Sequence, residues 1–309
     1  MPRDSELIVK EGCRIYHLGL SSGQIASNIV LCGDPGRVDL IAGLFDPGTV
    51  GPPVANREFV TRSGSYHGLP VSVIGTGIGP DNTEIALVEL YALNEFDLET
   101  KVRRAGAAPL TIIRVGTCGT PQPDVQVGSL AISSLALGLE NTGVWYDLPE
   151  SGLSDTALAI ERQAMRLLDE AVPHGYRFKG RLLPYVSEPS LRVVAALADR
   201  AVGDHVLGIT VTAPGFFAPQ GREIDGLRLT APRLQECLAG LEVQGQRVVN
   251  LEMETSLLFH LTRIMGYASG SVCAVIANRA TGAFLPDYGQ AVKRTALTAL
   301  EALRAMNQP

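Results

Sequence analysis

Aromatic residues are scarce in this chain: they fill 6% of its 309 positions, with a single Trp. Long apolar runs are missing altogether. No stretch approaches about 18 consecutive apolar residues, so no membrane-spanning helix is expected. Residues 1–11 mix both charge signs around no apolar centre, so no secretory signal is expected either. There is no excess of basic residues. The formal charge is −6, which argues against a broad cationic face for a nucleic-acid polymer. The five cysteines, Cys13, Cys32, Cys118, Cys237 and Cys273, are odd in number, and no two have metal-ligand spacing. Reduced thiols in a cytoplasmic protein are the simplest reading. None of the five histidines has an HExxH or comparable spacing, so no metal site is expected. Internal repeats and low-complexity tracts are also lacking.

What the chain does have is apolar residues (46%) and 33 glycines, a composition suited to close packing of helices on a sheet. Its length is ample for a buried core. Short runs nearly continuous in Val, Ile, Leu and Ala, at 29–33, 70–76, 111–117, 130–137, 206–212 and 271–278, read as strands buried on both faces. They alternate with helical patterns at 37–44, 82–95, 155–171, 190–201, 255–265 and 290–306, where Asn82 and Asp155 suit N-caps. The stretch 56–67 breaks the rhythm and reads as an antiparallel or hairpin strand. Residues 140–153 and 214–232 read as long loops, which in compact domains often carry function. The expectation is an α/β protein of one domain, residues 1–309, with three layers (α/β/α) around a central mixed β-sheet.

Several motifs carry chemistry, each beside a plainer reading. Gly33-Asp34-Pro35-Gly36-Arg37 lies between a strand and a helix; it is either an ordinary tight turn or a cradle of amide N–H groups for an anion. Arg57, in Asn56-Arg57-Glu58-Phe59, reads by itself as a solvated cation. Gly75-Thr76-Gly77-Ile78-Gly79 invites a dinucleotide reading, but its spacing is GxGxG and the next strand carries Arg114 where that reading needs an acid. Arg114-Val115-Gly116-Thr117-Cys118-Gly119 closes a very apolar strand. Its guanidinium needs a partner, either a structural carboxylate or a bound anion, with the Thr117 hydroxyl available to the same anion. In Gly215-Phe216-Phe217-Ala218-Pro219-Gln220-Gly221-Arg222, an aromatic pair precedes an amide and a guanidinium. That suits a flat heterocycle stacked on Phe216, with Gln220 reading its edge and Arg222 bonding a carbonyl; the plainer reading is a loop anchored by buried Phe. In Asn250-Leu251-Glu252-Met253-Glu254, two carboxylates share a face of an extended segment and could accept from the paired hydroxyls of a ribose, or Glu254 could simply sit at a helix start. Ile276, Asn278 and Arg279 end the last strand. Gly19-Leu20-Ser21-Ser22-Gly23 matches GxSxG without the strand-to-helix elbow a serine hydrolase requires.

Taken in order, these motifs resemble the nucleoside phosphorylase-I family, in its uridine phosphorylase branch, from Ile15-Tyr-His-Leu-Gly-Leu20 to Asn278-Arg279. The resemblance implies a pentosyltransferase of nucleoside salvage that cleaves uridine with inorganic phosphate to uracil and ribose 1-phosphate, with phosphate as co-substrate and no cofactor. It places Gly33, Arg37, Arg114 and Thr117 around the phosphate, joined by Arg57 from a neighbouring subunit. Met253 and Glu254 would hold the ribose, with the neighbour's His17 near the 5′-hydroxyl. Phe216, Gln220 and Arg222 would form the base pocket, backed by Ile276 and Arg279. Catalysis would fall to Arg114, Gln220, Arg222 and Glu254. A homo-oligomer of at least two copies follows, and family members are commonly hexamers. Two departures stand out. Pro80-Asp81-Asn82 replaces a Pro-Ser pair where some relatives hold a monovalent cation near the positions of Glu58 and Ile78. Ala218-Pro219 replaces a commoner Pro-Gly or Glu-Gly.

Three alternatives remain at this stage. A nucleosidase on the same fold would use water and not need Arg37, Arg57 and Arg114. A purine or broad-specificity nucleoside phosphorylase is the second; purine-specific relatives place an Asp near where Asn278 stands, and its absence counts against purines. A non-catalytic nucleoside-binding protein would keep the base loop but not need all three arginines.

Overall fold

The computed structural model describes residues 2–308. In chain order the elements are β1 (Val9–Lys10), β2 (Arg14–Ile15), β3 (Asn28–Cys32), α1 (Gly36–Ala42), β4 (Val54–Asn56), β5 (Phe59–Tyr66), β6 (Leu69–Gly75), α2 (Pro80–Glu95), β7 (Thr111–Thr120), β8 (Leu130–Gly138), α3 (Asp155–Ala171), β9 (Tyr185–Ser187), α4 (Leu191–Asp199), β10 (His205–Thr212), α5 (Leu234–Ala239), β11 (Glu242–Val243), β12 (Gln246–Glu252), α6 (Thr255–Met265), β13 (Ala268–Asn278) and α7 (Gly289–Met306). The strands expected from apolar runs all form, and β4 and β5 make the expected antiparallel pair. The apolar continuity of β3 (Asn-Ile-Val-Leu-Cys) has its cause in the packing: all five residues are buried, with helices on both sides of the sheet.

Apart from the β1–β2 pair, the strands form one mixed sheet in the order β11-β12-β10-β8-β13-β7-β3-β6-β5-β4, with β9 attached to β8. Within it β13, β7, β3 and β6 run parallel, and β13 meets β8 antiparallel. The sheet curls far enough that β12 returns to β7, where Leu251 pairs with Gly119. That closure sets the carboxyl end of β7 beside the carboxyl end of β12 and determines where the site forms.

Helices α1, α4 and α7 pack on one face through residues such as Ile41, Leu197 and Leu300. Helices α2 and α6 cover the other through Leu87, Leu90 and Phe259, while α3 and α5 pack against β10 and β12. The fold is therefore α/β with a central mixed sheet, as expected. Each fully buried Leu, Ile or Phe contributes about 1.5–3 kcal/mol by leaving water. Among the described residues no helix is long and apolar enough to cross a membrane.

Two expected caps are corrected. Helix α2 starts at Pro80, not beside Asn82: Gly79 is its N-cap and Pro sits where its missing N–H costs nothing. Helix α3 is capped by Ser154, whose side chain accepts the Ala157 N–H at 3.2 Å, so Asp155 falls in the first turn. Strand β12, with β9 and α5, lay outside the expected elements. The polar residues Gln246, Arg247 and Asn250 interrupt the apolar run that would have announced β12.

Candidate active site

A cavity of about 450 Å³ opens where the carboxyl ends of β3, β7, β12 and β13 converge, roofed by the loop after β10. Open α/β sheets present their ligand sites at such strand ends. Gly33, Arg37, Arg114, Thr117, Phe216, Gln220, Arg222, Met253, Glu254, Ile276 and Arg279 all line it. The residues expected to act within one chain are thus brought together. Four guanidinium groups (Arg37, Arg114, Arg222, Arg279) face three carboxylates (Asp34, Glu252, Glu254), leaving a local surplus of positive charge in a chain whose net charge is −6.

Arg114 forms the floor. Its side chain lies back over Gly116, two residues along the same face of β7, where any Cβ would overlap the guanidinium. That explains why the motif reads Arg-Val-Gly. The group is 6% exposed and pairs with two carboxylates, Glu252 at 3.1 Å and Glu254 more closely still. Burial opposes its charge, but Glu254 and then Glu252 hold it above the usual guanidinium range. The structural and the anion-binding readings of Arg114 are therefore not exclusive: the side chain is ion-paired on one side and borders the cavity on the other. Glu252 is held in place by the Thr212 hydroxyl (2.6 Å), the Thr255 hydroxyl (2.9 Å) and the N–H groups of Glu254 and Thr255. Glu254 accepts the Gly79 N–H at 2.7 Å, and burial pushes its carboxyl above the usual value despite Arg114. This contact also gives the Gly75–Gly79 motif its role. At φ 99° Gly79 adopts a backbone conformation that favours glycine, and its N–H is spent on Glu254.

Beside Arg114, the Arg37 Nη2 reaches the Thr117 hydroxyl at 3.5 Å, and its Nε lies 3.8 Å from Asp34. Asp34 also accepts the Gly36 N–H at 2.9 Å, so part of the expected amide cradle is closed by its own side chain.

At the other end stands the loop after β10. Gln220 is 3% exposed, fixed beneath a turn whose Gly221 carbonyl accepts from Gln235 at 2.7 Å. Arg222 donates to the Gln220 Oε1 at 2.6 Å and lies 3.6 Å over the Phe216 ring. The expected stacking surface on Phe216 is thus covered on one face by Arg222. With its oxygen so engaged, Gln220 still has its amide NH2 as donor, and its oxygen keeps a second lone pair. Strand β13 completes this end. Its pairing with β7 slips by one residue between Val275 and Ala277, and the extra residue, Ile276, lines the cavity. Such bulges re-aim a side chain beside active sites. Arg279 follows: among the described residues nothing accepts from its buried Nε and Nη2, and burial lowers its tendency to hold its proton.

The sequence pattern of the phosphorylase superfamily matches residues 28–305. The chain belongs to the phosphorylase superfamily. Within it, the chain is 33% identical over 293 residues to a uridine phosphorylase of Thermococcus kodakarensis, covering 94% of this chain and 86% of that protein. It is 37% identical over 278 residues to the uridine phosphorylase of Treponema pallidum, covering 89% and 86%. A Trypanosoma brucei nucleoside phosphorylase, described as showing uridine phosphorylase activity, superposes with a TM-score of 0.83 at 32% identity, covering 97% of this chain and 99% of that one.

In this phosphorylase-superfamily chain, two expected site residues stand apart from the cavity. The His17 ring nitrogen Nδ1 lies 2.8 Å from Glu89, which also takes the N–H groups of His17 and Leu18. Arg57 donates to the Tyr16 hydroxyl at 2.8 Å and lies 4.9 Å over that ring. Asn56 ties the two segments together by donating to the carbonyl of Tyr16 at 3.1 Å. His17 and Arg57 thus share one patch around Tyr16, outside their own chain's cavity.

Sequence reasoning passed over Glu252 as a partner of Arg114, although a buried Arg needs a carboxylate and Glu-x-Glu offered one. It also missed Phe284, which lines the cavity while 60% exposed. Phe284 arrives on a hairpin returning along β13, held by the Asn278 side chain, and nothing in its local sequence announces that.

Proposed function

We propose that the chain is a uridine phosphorylase: a pentosyltransferase that cleaves uridine reversibly with phosphate to uracil and ribose 1-phosphate in pyrimidine salvage. The observation that carries this is one cavity with Arg37, Thr117 and Arg114 at one end and the Gln220–Arg222 pair at the other. A phosphate dianion at the first end and a planar base at the second put the anomeric carbon of the ribose between them, where Met253 and Glu254 stand. The arginines offset the desolvation of phosphate and align it as nucleophile. As the C1′–N bond breaks, its electron pair leaves with the base. Negative charge grows on the uracil oxygens, where Gln220 and Arg222 donate and Arg279, paired with no carboxylate among the described residues, adds positive potential. Phosphate oxygen then bonds to C1′. The mechanism asks for no cofactor or metal. Asn278 supports pyrimidine over purine: its amide donates to Gln122 and Val125 carbonyls and accepts from Ala280 and Thr281, so it is not free to serve a purine ring.

The deciding experiment is release of uracil, thymine and hypoxanthine from a nucleoside panel with and without phosphate. Uracil release that requires phosphate is expected. Release that ignores phosphate would establish a nucleosidase, faster hypoxanthine release a purine enzyme, and saturable uridine binding without product a binding protein.

The proposal includes a cytoplasmic homo-oligomer, a hexamer built from dimers, in which the partner copy lends His17 and Arg57 to each site. Its support is the shared patch around Tyr16. Co-expressing Arg57→Ala with Arg114→Ala tests it, because a mixed dimer holds one site with both arginines native. Random mixing should restore about a quarter of native activity from two poorly active chains. Activity no higher than the mean of the two variants alone would mean each chain uses its own Arg57.

A further inference from the structure

Arg114 has a third neighbour besides its two carboxylates. Its Nη1 donates to the Cys273 sulfur at 3.2 Å. The register explains the contact: Cys273 on β13 lies directly opposite Gly116 on β7, the residue over which the guanidinium folds. The sulfur is wholly buried and has its own support. Cys118, two residues beyond Gly116 on the same face of β7, packs in the same buried cluster. Asn250 on β12 stands against it as well, itself fully buried, with neither amide atom in a hydrogen bond of ordinary geometry. The neighbouring Cys118 thiol first, and the Arg114 charge, favour the ionised form of Cys273 against its burial and give it acceptor strength a lone buried thiol lacks.

The guanidinium has five N–H donors in one rigid plane. Nη1 faces Glu252 and Cys273, and Nη2 meets Glu254. The Nε proton, for which no acceptor stands among the described residues, and the second Nη2 proton remain for a ligand. The two carboxylates fix where the group sits. A third contact off the Glu252–Glu254 edge is what stops it pivoting. We propose that Cys273, backed by Cys118 and Asn250, is a positioning residue for phosphorolysis: its sulfur anchors the Nη1 corner of Arg114 and turns the Nε edge towards the phosphate. This rests on the reading of Arg114 as a phosphate ligand.

The test is steady-state kinetics with phosphate and uridine varied separately. Cys273→Ala should raise KM for phosphate about tenfold, equivalent to ~1.4 kcal/mol, with KM for uridine and kcat moved by less than about threefold. Cys273→Ser, which keeps an acceptor, should recover most of the phosphate affinity. An unchanged phosphate KM overturns the proposal, as does a parallel fall in every constant that Ser does not rescue, the signature of a packing role. If the Ala chain does not fold, Cys118→Ala removes the backing thiol and is read the same way: phosphate KM raised supports the anchor, unchanged phosphate KM overturns it. Arg114→Lys is measured beside them. If it leaves phosphate KM unaltered, the reading of Arg114 itself fails; if it raises phosphate KM while Cys273→Ala does not, only the anchor fails.

Discussion

Arg222→Ala is expected to lower kcat for uridine about 100- to 1,000-fold, the range for losing one donor aimed at developing charge, with KM for phosphate nearly unchanged. Arg222 is at the base end of the cavity, bonded to Gln220 and stacked on Phe216. In the ground state the uracil oxygens are weak acceptors. As the glycosidic bond breaks they take up negative charge, so a guanidinium there gains strength towards the transition state and acts on kcat more than on binding. The substitution also releases the Gln220 oxygen, so some of the loss comes from an amide free to rotate. Arg222→Lys separates the two: it restores a charge but not the fork that holds Gln220, and should recover only part of the turnover. Steady-state kinetics with both substrates varied decides. A preserved kcat with a raised phosphate KM would move Arg222 to the other end of the site.

The parts of this molecule legible in the sequence are those whose physics is local. Strands such as β3 and β7 are buried on both faces, so their apolar continuity gave them away. The glycine-rich turns at 33–37 and 75–79 marked strand ends, and the fold then brought those ends together. What could not be read locally was the partner of each polar group. The Gly75–Gly79 motif invited a dinucleotide reading that its spacing argued against, and no local signal showed that the Gly79 N–H serves Glu254, 175 residues away. Arg114 posed a choice between a structural ion pair and an anion site because its neighbours come from distant parts of the chain: from β13, which lies beside β7, and from β12, which meets β7 only through the curl of the sheet. Phe284 and the packing of Cys273 against the guanidinium depend on register, to which composition and spacing are blind. The family resemblance supplied residue roles, and the structure supplied the geometry that joins those within one chain.

Replacing Arg114 should have the largest effect on both stability and activity, and the two losses can be pulled apart. Arg114→Met leaves Glu252 and Glu254 buried without their cation. Removing one partner of a buried pair costs about 3–5 kcal/mol, a fall in Tm on the order of 10 °C for a chain this long. Glu252 retains donors from Thr212, Thr255 and two backbone amides, whereas among the described residues Glu254 keeps only the Gly79 N–H. The penalty therefore falls chiefly on Glu254. Burial already holds that carboxyl above its ordinary value, and losing Arg114 must raise it further. A folded-state pKa above the unfolded one means the stability deficit grows as pH rises through the folded value and shrinks below the unfolded one. Acidic buffer should thus narrow the Tm gap between the variant and the native chain. Adding Glu254→Gln removes the orphaned charge and should restore most of the lost Tm at neutral pH. Activity should not return with it, because the phosphate has lost a guanidinium and the ribose a carboxylate. A double variant that recovers turnover along with stability would reduce Arg114 to an ion-pair partner and leave the anion pocket to Arg37 and Thr117.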